Sequence, residues 1–410
     1  MTTDFPINPR VASLLERGVT IPSPHSVEID DDVDIQRIAS NGVTLHRGTR
    51  ISGADTWIGS GVTLGEETPA TIVSCQMGPG SSLKGGYAKG ALFLKGASAG
   101  SGAHIRDGSI LEEEASCAHT VGLKQTILLP FVTLGSLINF CDVLMTGGTS
   151  RKDHSEVGSS YIHFNYTPNQ DKATASLLGD VPRGVMLDQA PIFLGGQGGL
   201  VGPCHLAFGT VVAAGTIMRK DEEEEGKLHF GGAMRAGRVN TSGGVYQNVK
   251  RIAAHNVRYM GNLLALWAWT KHARGACIHE DYPQALYQAH LKAISVAIDE
   301  RRKRFKAFVA KLPQSLALAI ERGNLAEEAS LAQQKRELVE GIESFDANLD
   351  GMLEALENKI LPEALTPSGE YIAWVKELKP EAKAAGTAWL EEIVQKIERM
   401  AADLFPKTLG

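Results

Sequence analysis

Leu194, Leu200, Leu206, Val212 and Met218 recur at every sixth position without exception, and the pairs Leu45/Ile51 and Ile58/Leu64 share that step. A period of six suits neither an amphipathic helix nor a half-buried strand, whose periods are 3.6 and 2. It suits a parallel β-helix built from hexapeptide repeats, each one short strand and one turn. The apolar residue points into a three-sided core, and small residues beside it, as in Ile58-Gly59, Leu64-Gly65 and Leu194-Gly195, permit the tight corner. Each coil satisfies its backbone only against the next, so stability comes from stacking. A coil takes roughly eighteen residues, and residues 25 to 220 hold roughly ten coils with interruptions. An irregular β-sandwich is the competing architecture, and it gives no reason for the unbroken sixfold run.

Beyond about residue 245 glycine becomes scarce, and Ala, Leu, Glu and Lys dominate. Tyr287, Leu291, Ile294 and Ile298 form one helical stripe, as do Trp389, Ile393 and Ile397, and Pro380-Glu381 reads as a first helical turn. The expected organisation is an N-terminal arm (1–24), a left-handed parallel β-helix with inserted loops (25–240) and an all-α C-terminal domain (241–410). Trp267, Trp269, Trp374 and Trp389 are expected in the helical core. The acidic run Asp221–Glu225 reads as a solvated loop, and the basic run Arg301–Arg304 as a solvated helix face.

The net charge of -6 argues against nucleic acid as a partner. Five cysteines without CxxC spacing point to reduced thiols in a cytoplasm, not to a disulfide frame or a zinc site. No segment has the length or apolarity of a membrane span, and the N-terminus has no signal-peptide core.

The segments "IFLGGQGGLVGPCHLAFGTVVAAGTIMRKD" (192–221) and "HSEVGSSYIHFNYTPNQDKATASLLGD" (154–180) carry a resemblance. They resemble the left-handed β-helix, hexapeptide-repeat acyltransferases. The likeness is to the C-terminal acetyltransferase domain of the bifunctional enzyme that makes UDP-N-acetylglucosamine from glucosamine 1-phosphate. It covers about 122–221 well and the earlier coils only as a repeat class. It implies a homotrimer with clefts shared between subunits, acetyl-CoA as acyl donor, and an amino-sugar phosphate or nucleotide sugar as acceptor. Asn165 and Tyr166 match the family's pair facing the amino sugar and acetyl group, and Lys124 a lysine that contacts the sugar phosphate. Gly196 and Ala214 match backbone positions along the acetyl-CoA channel, with Ser159 near it. Asp142 is kept, and Lys172 falls in the family's lysine-rich stretch.

The chain also departs from the family. Ser136 stands where the family has its general-base histidine, Asn139 where it has a tyrosine, and Glu156 where it has an asparagine. Extra residues lengthen the coil around 150–153, and 181–191 is an insertion. Residues 1–50 hold nothing that reads as the family's nucleotidyltransferase domain.

Amide formation needs a neutral amine, a nearby thioester and donors for the oxyanion. Losing the base costs roughly 10²–10⁴-fold in rate. His163 and His154 are the candidates to replace it, with Asn165 polarising a carbonyl. The plainer readings stay open. His163 serves as a hydrogen-bonded or subunit-contact residue, Asn165 caps a turn, and Lys124 and Lys172 are solvated. His104, His119 and His205 are structural, and no metal is signalled by spacing. Two functions stand: an acyl-CoA-dependent N-acyltransferase, and a sugar-nucleotide-binding or scaffolding trimer that kept the fold.

Overall fold

A computed structural model describes residues 7–165, 171–231, 236–238, 243–322 and 328–410. Residues 28–229 form a parallel β-solenoid of about eleven turns, followed by a helical region. One face is a ten-stranded parallel sheet running from Thr44–Leu45 to Leu228–His229. The other two faces share a sixteen-stranded sheet, because the strands Gly122–Leu128 and Asn139–Met145 run on around a corner. Gln125 (φ 49°) and Asp142 (φ 62°) make that turn in the left-handed region. Leu194, Leu200, Leu206 and Val212 are fully buried and Met218 is 6% exposed, so the sixfold pattern marks the core as expected. A short helix, α1 (Pro9–Glu16), lies in the segment expected as an arm and buries Val11 and Leu14 in the solenoid core. The junction expected at 240–241 lies outside the described residues.

The third face is apolar on both sides. Phe93, Leu111, Leu128, Met145 and Leu178 point inward. Leu92, Ile110, Ile127, Leu144 and Leu177 stack in register outside. This outer ladder belongs to the core of the helical region. After α2 (Val181–Gly184) that region comprises α3 (Val249–Ala268), α4 (Gln284–Val309), α5 (Leu312–Glu321), α6 (Glu328–Glu357), α7 (Tyr371–Glu377) and α8 (Pro380–Leu404). The expected stripes are buried, Tyr287, Leu291, Ile294 and Ile298 on α4 and Trp389, Ile393 and Ile397 on α8.

The insertion 181–191 is a tie between the halves. Its α2 backbone is held by Asn262 (Val181 N to Oδ1, 2.8 Å), while Tyr371 and Lys383 donate to the Val185 and Met186 carbonyls. Arg274, fully buried between the halves, pairs with Glu112 (3.0 Å) and Glu113 of the solenoid.

Two charge runs differ from expectation. The acidic run is not a free solvated loop. Asp221 binds Arg251 (2.9 Å) and His255 (3.1 Å) on α3, and Glu223 binds Arg258 and His205. The basic run is not a uniformly solvated face. Arg301 is 2% exposed and Arg302 bridges to Asp346 and Asp350 on α6. Unpaired charge is costly in both places. Asp221 and Glu223 draw their counter-ions from α3 and Arg301 draws Asp142 from the solenoid, whereas Arg302 is paired within the helical region. Among the described residues, no helix is long and apolar enough to cross a membrane.

Candidate functional site

The site residues fall along both edges of one solenoid face. At one edge the chain turns the corner in the same way in successive coils, and the residues just before the turn stack. Leu137 N–H donates to His119 O (3.1 Å), Ser160 N–H to Ser136 O (2.8 Å), Gln197 N–H to Ser159 O (2.9 Å) and Gly215 N–H to Gly196 O (2.9 Å). His119, Ser136, Ser159, Gly196 and Ala214 are therefore one column. Ser159, Gly196 and Ala214, widely separated in sequence, stand on consecutive rungs. Beside them run Gly135, Gly158 and Gly195, where coils approach too closely for a side chain. A Cβ on Gly158 would meet Gly196 N at 2.5 Å, and one on Gly135 would meet Ser159 N at 2.9 Å.

Across the face, Lys124 lies in register with Cys141, and Arg106 follows Ile105, which pairs with Leu123. Burial and neighbouring Asp142 push the Cys141 thiol up, while the charges of Arg106, Lys124 and Lys172 oppose the shift. Three cations thus lie near enough for their charge to act on one thiol, with Lys172 and Arg106 exposed and Lys124 half-buried.

At the second corner Asn165 Nδ2 donates to Asp142 Oδ2 (3.1 Å), and Arg301 of α4 reaches Asp142 Oδ1 (2.6 Å) and Lys172 O (3.5 Å). Asp142 is 5% exposed. It is closed off by Arg301 and Asn165, so it positions the corner from below instead of standing open to a ligand. Asp171 accepts from the Tyr246 hydroxyl, and Asn256 of α3 binds Ala173 O (3.0 Å). The helical region thus anchors the polar loop on its far side. Tyr166 lies outside the described residues.

His163 is 3% exposed. It occupies an inward rung between Phe140 and Leu200, with its ring edge-on to Phe140. Nδ1 is 2.6 Å from Cys141 O and Nε2 is 2.8 Å from Ser176 Oγ. A carbonyl only accepts, so Nδ1 carries the proton and Nε2 accepts from the serine. Burial pulls the imidazole down to about 4 against the help of the Cys141 carbonyl. Both nitrogens are occupied inside the core. His154 sits on an antiparallel hairpin formed by Gly148–Ser150 and Asp153–His154, the structural form of the lengthened coil. Its Nε2 is 3.8 Å from Glu156, and its Nδ1 is buried without a partner.

Two groups absent from the expected set belong to this site, one exposed and one buried beneath it. His119 is exposed, with Nδ1 2.8 Å from Ser136 Oγ, and Arg301 braces Asp142. Among the described residues, no group of three or more His, Cys, Asp and Glu side chains could hold a metal ion. A separate cleft of about 780 Å³ opens between Asp221, Glu223 and the helices α3 and α8. It contains none of these groups, and its Arg251 and Arg258 are already ion-paired.

No family model matches the chain. Among curated proteins, the bifunctional protein GlmU of Kineococcus radiotolerans is 26% identical over 204 residues, 50% of this chain and 36% of the relative. GlmU of Thermotoga petrophila is 24% identical over 212 residues, 52% and 42% of the two chains. GlmU of Nocardia farcinica is 27% identical over 212 residues, 51% and 38%. The chain resembles GlmU over about half its length. With the β-solenoid, that likeness bears out the family resemblance read from the hexapeptide sequence. The match spans less than half the length of these GlmU relatives.

Proposed function

We infer that this protein is an acyl-CoA-dependent N-acyltransferase, with acetyl-CoA as donor and an amino-sugar phosphate or nucleotide sugar as acceptor. The observation that carries the reading is the corner column Ser159–Gly196–Ala214. Three consecutive rungs offer small side chains and open backbone, a track along which an extended pantetheine can lie. The nearness of Arg106, Lys124 and Lys172 to Cys141 supports an anionic acceptor, since phosphate recognition rests on such donors. Asn165 and Tyr166 are assigned to the amino sugar and the acyl group. Asp142 supports them through Asn165.

A homotrimer fits the outer surface. Phe193, Val211 and Leu228 stack in register on the ten-stranded face at 42%, 37% and 60% exposure. Ile162, Phe164 and Ile217 are exposed on the next face. Contiguous apolar strips of this kind mark association surfaces. Five unpaired cysteines, four of them buried, suit a reducing cytoplasm.

Titration calorimetry with acetyl-CoA and with free CoA tests the reading. The expected result is saturable binding at about one site per chain, weakened at least tenfold by Ala214→Trp with an unchanged melting temperature. Ala214 is exposed, so the larger ring fills the track without disturbing the core. Absence of binding to either ligand at millimolar concentration would sink the transferase reading. The sealed His163 favours the second reading, a sugar-nucleotide-binding or scaffolding trimer, because a ring with both nitrogens bonded in the core takes no proton from a substrate.

A further inference from the structure

One exposed imidazole at the column has a partner suited to proton transfer. His119 Nδ1 lies 2.8 Å from Ser136 Oγ. Ser136 N–H in turn donates to Ser159 Oγ at 3.2 Å, and the Leu137 N–H to His119 O bond fixes the corner on which both groups ride. The chain therefore places an imidazole, a hydroxyl and the start of the small-residue track on three successive rungs. A serine hydroxyl alone is too weak to take a proton near neutral pH, whereas one bonded to a neutral imidazole passes it on. The other histidines near the face are placed differently: His163 is closed into the core, the His154 Nδ1 is buried, and His104, in register with Gly122, stacks on Tyr87.

We propose that His119 and Ser136 form a proton relay that deprotonates the acceptor amine. This rests on the transferase reading above. As the amine nitrogen bonds to the thioester carbonyl carbon, its surplus proton passes to Ser136 Oγ, and the Ser136 hydroxyl proton passes to His119 Nδ1. The tetrahedral adduct collapses with cleavage of the C–S bond. The departing thiolate then takes the proton back from the imidazolium by the same route. The products are the amide and free CoA, with His119 and Ser136 restored. Ser136 touches the substrate, and His119 acts through it.

The test is thiol release from acetyl-CoA with glucosamine 1-phosphate as acceptor, measured from pH 5.5 to 9. His119→Ala is expected to lower kcat/KM about 100-fold at pH 7, with calorimetric acetyl-CoA affinity and melting temperature unchanged. The acidic limb of the wild-type profile should disappear, and added imidazole should restore rate. Ser136→Ala should show the same loss. Ser136→His in the His119→Ala background should recover transfer, because it carries the imidazole on the neighbouring rung. Transfer by the wild type with full rate in His119→Ala overturns the relay alone. Acetylated Ser136, found by mass spectrometry after exposure to acetyl-CoA alone, overturns it in favour of a covalent route. A wild type that releases no thiol with glucosamine 1-phosphate or with UDP-glucosamine overturns the transferase reading and the relay together.

Discussion

His163 shows how a single residue type misleads. In sequence it stands beside Asn165 in the polar stretch and reads as a base. In the fold it is a rung of the core, six residues after the buried Val157, as Phe140 is six after Leu134. The sixfold step places it inward, whereas its polar character points to the outer face. Its folded imidazole titrates near 4, below the usual 6.5. A depressed histidine takes up its proton in the unfolded chain first, so stability is retained above about 6.5 and lost as pH falls toward 4. The size of that loss is about 3 kcal/mol. Urea unfolding of His163→Leu is therefore expected to depend less on pH between 6.5 and 4 than that of the wild type. An unchanged slope would show that another group dominates the acid limb. In sequence His119 reads as structural for the opposite reason: nothing in a lone histidine of a turn announces that Ser136, 17 residues on, stands beside it.

At the scale of elements, α4 couples the helical region to the site. Its stripe runs Tyr287, Leu291, Ile294, Ile298 and continues through Arg301 to Phe305 and Phe308, all buried. Arg301 thus lies on the apolar side of its own helix, three residues past Ile298, although the run Arg301–Arg304 looks like a solvated patch in one-letter code. Its side chain and that of Asp142 are 3% and 7% exposed. Removing one partner leaves a buried charge, so Arg301→Met is expected to destabilise by about 3–5 kcal/mol. The double variant with Asp142→Asn should recover a large part of that loss in chemical denaturation. Additive losses would mean that the two groups do not depend on one another. The strands were legible because their period is unusual. The insertion 181–191 was not, because a docking segment takes its meaning from the helices it meets.

For the whole molecule, solenoid and helices share one apolar core cluster and the buried Arg274–Glu112–Glu113 group. The composition change near residue 245 marks a change of secondary structure, but it says nothing of how widely the two layers touch. Calorimetric unfolding is expected as one transition, and two well-separated peaks would show independent layers. Light scattering is expected to give a trimer that Val211→Asp converts to monomer, since the charge lands in the middle of the Phe193–Val211–Leu228 ladder. A trimer that survives this change would move the contact to another face.

The outer ladder Leu92–Ile110–Ile127–Leu144–Leu177 also has a history during synthesis. It leaves the ribosome well before α3, and α8 comes last. At the usual pace of about 5–20 residues per second the nascent chain carries this strip bare for tens of seconds. A holding chaperone, or prompt stacking of the coils, has to keep it from its neighbours on the polysome. Chains halted before Val249 are expected in the pellet, where the full-length protein stays in the supernatant. Recoding the 178–248 stretch with slow codons should lower soluble yield without altering any contact in the finished fold.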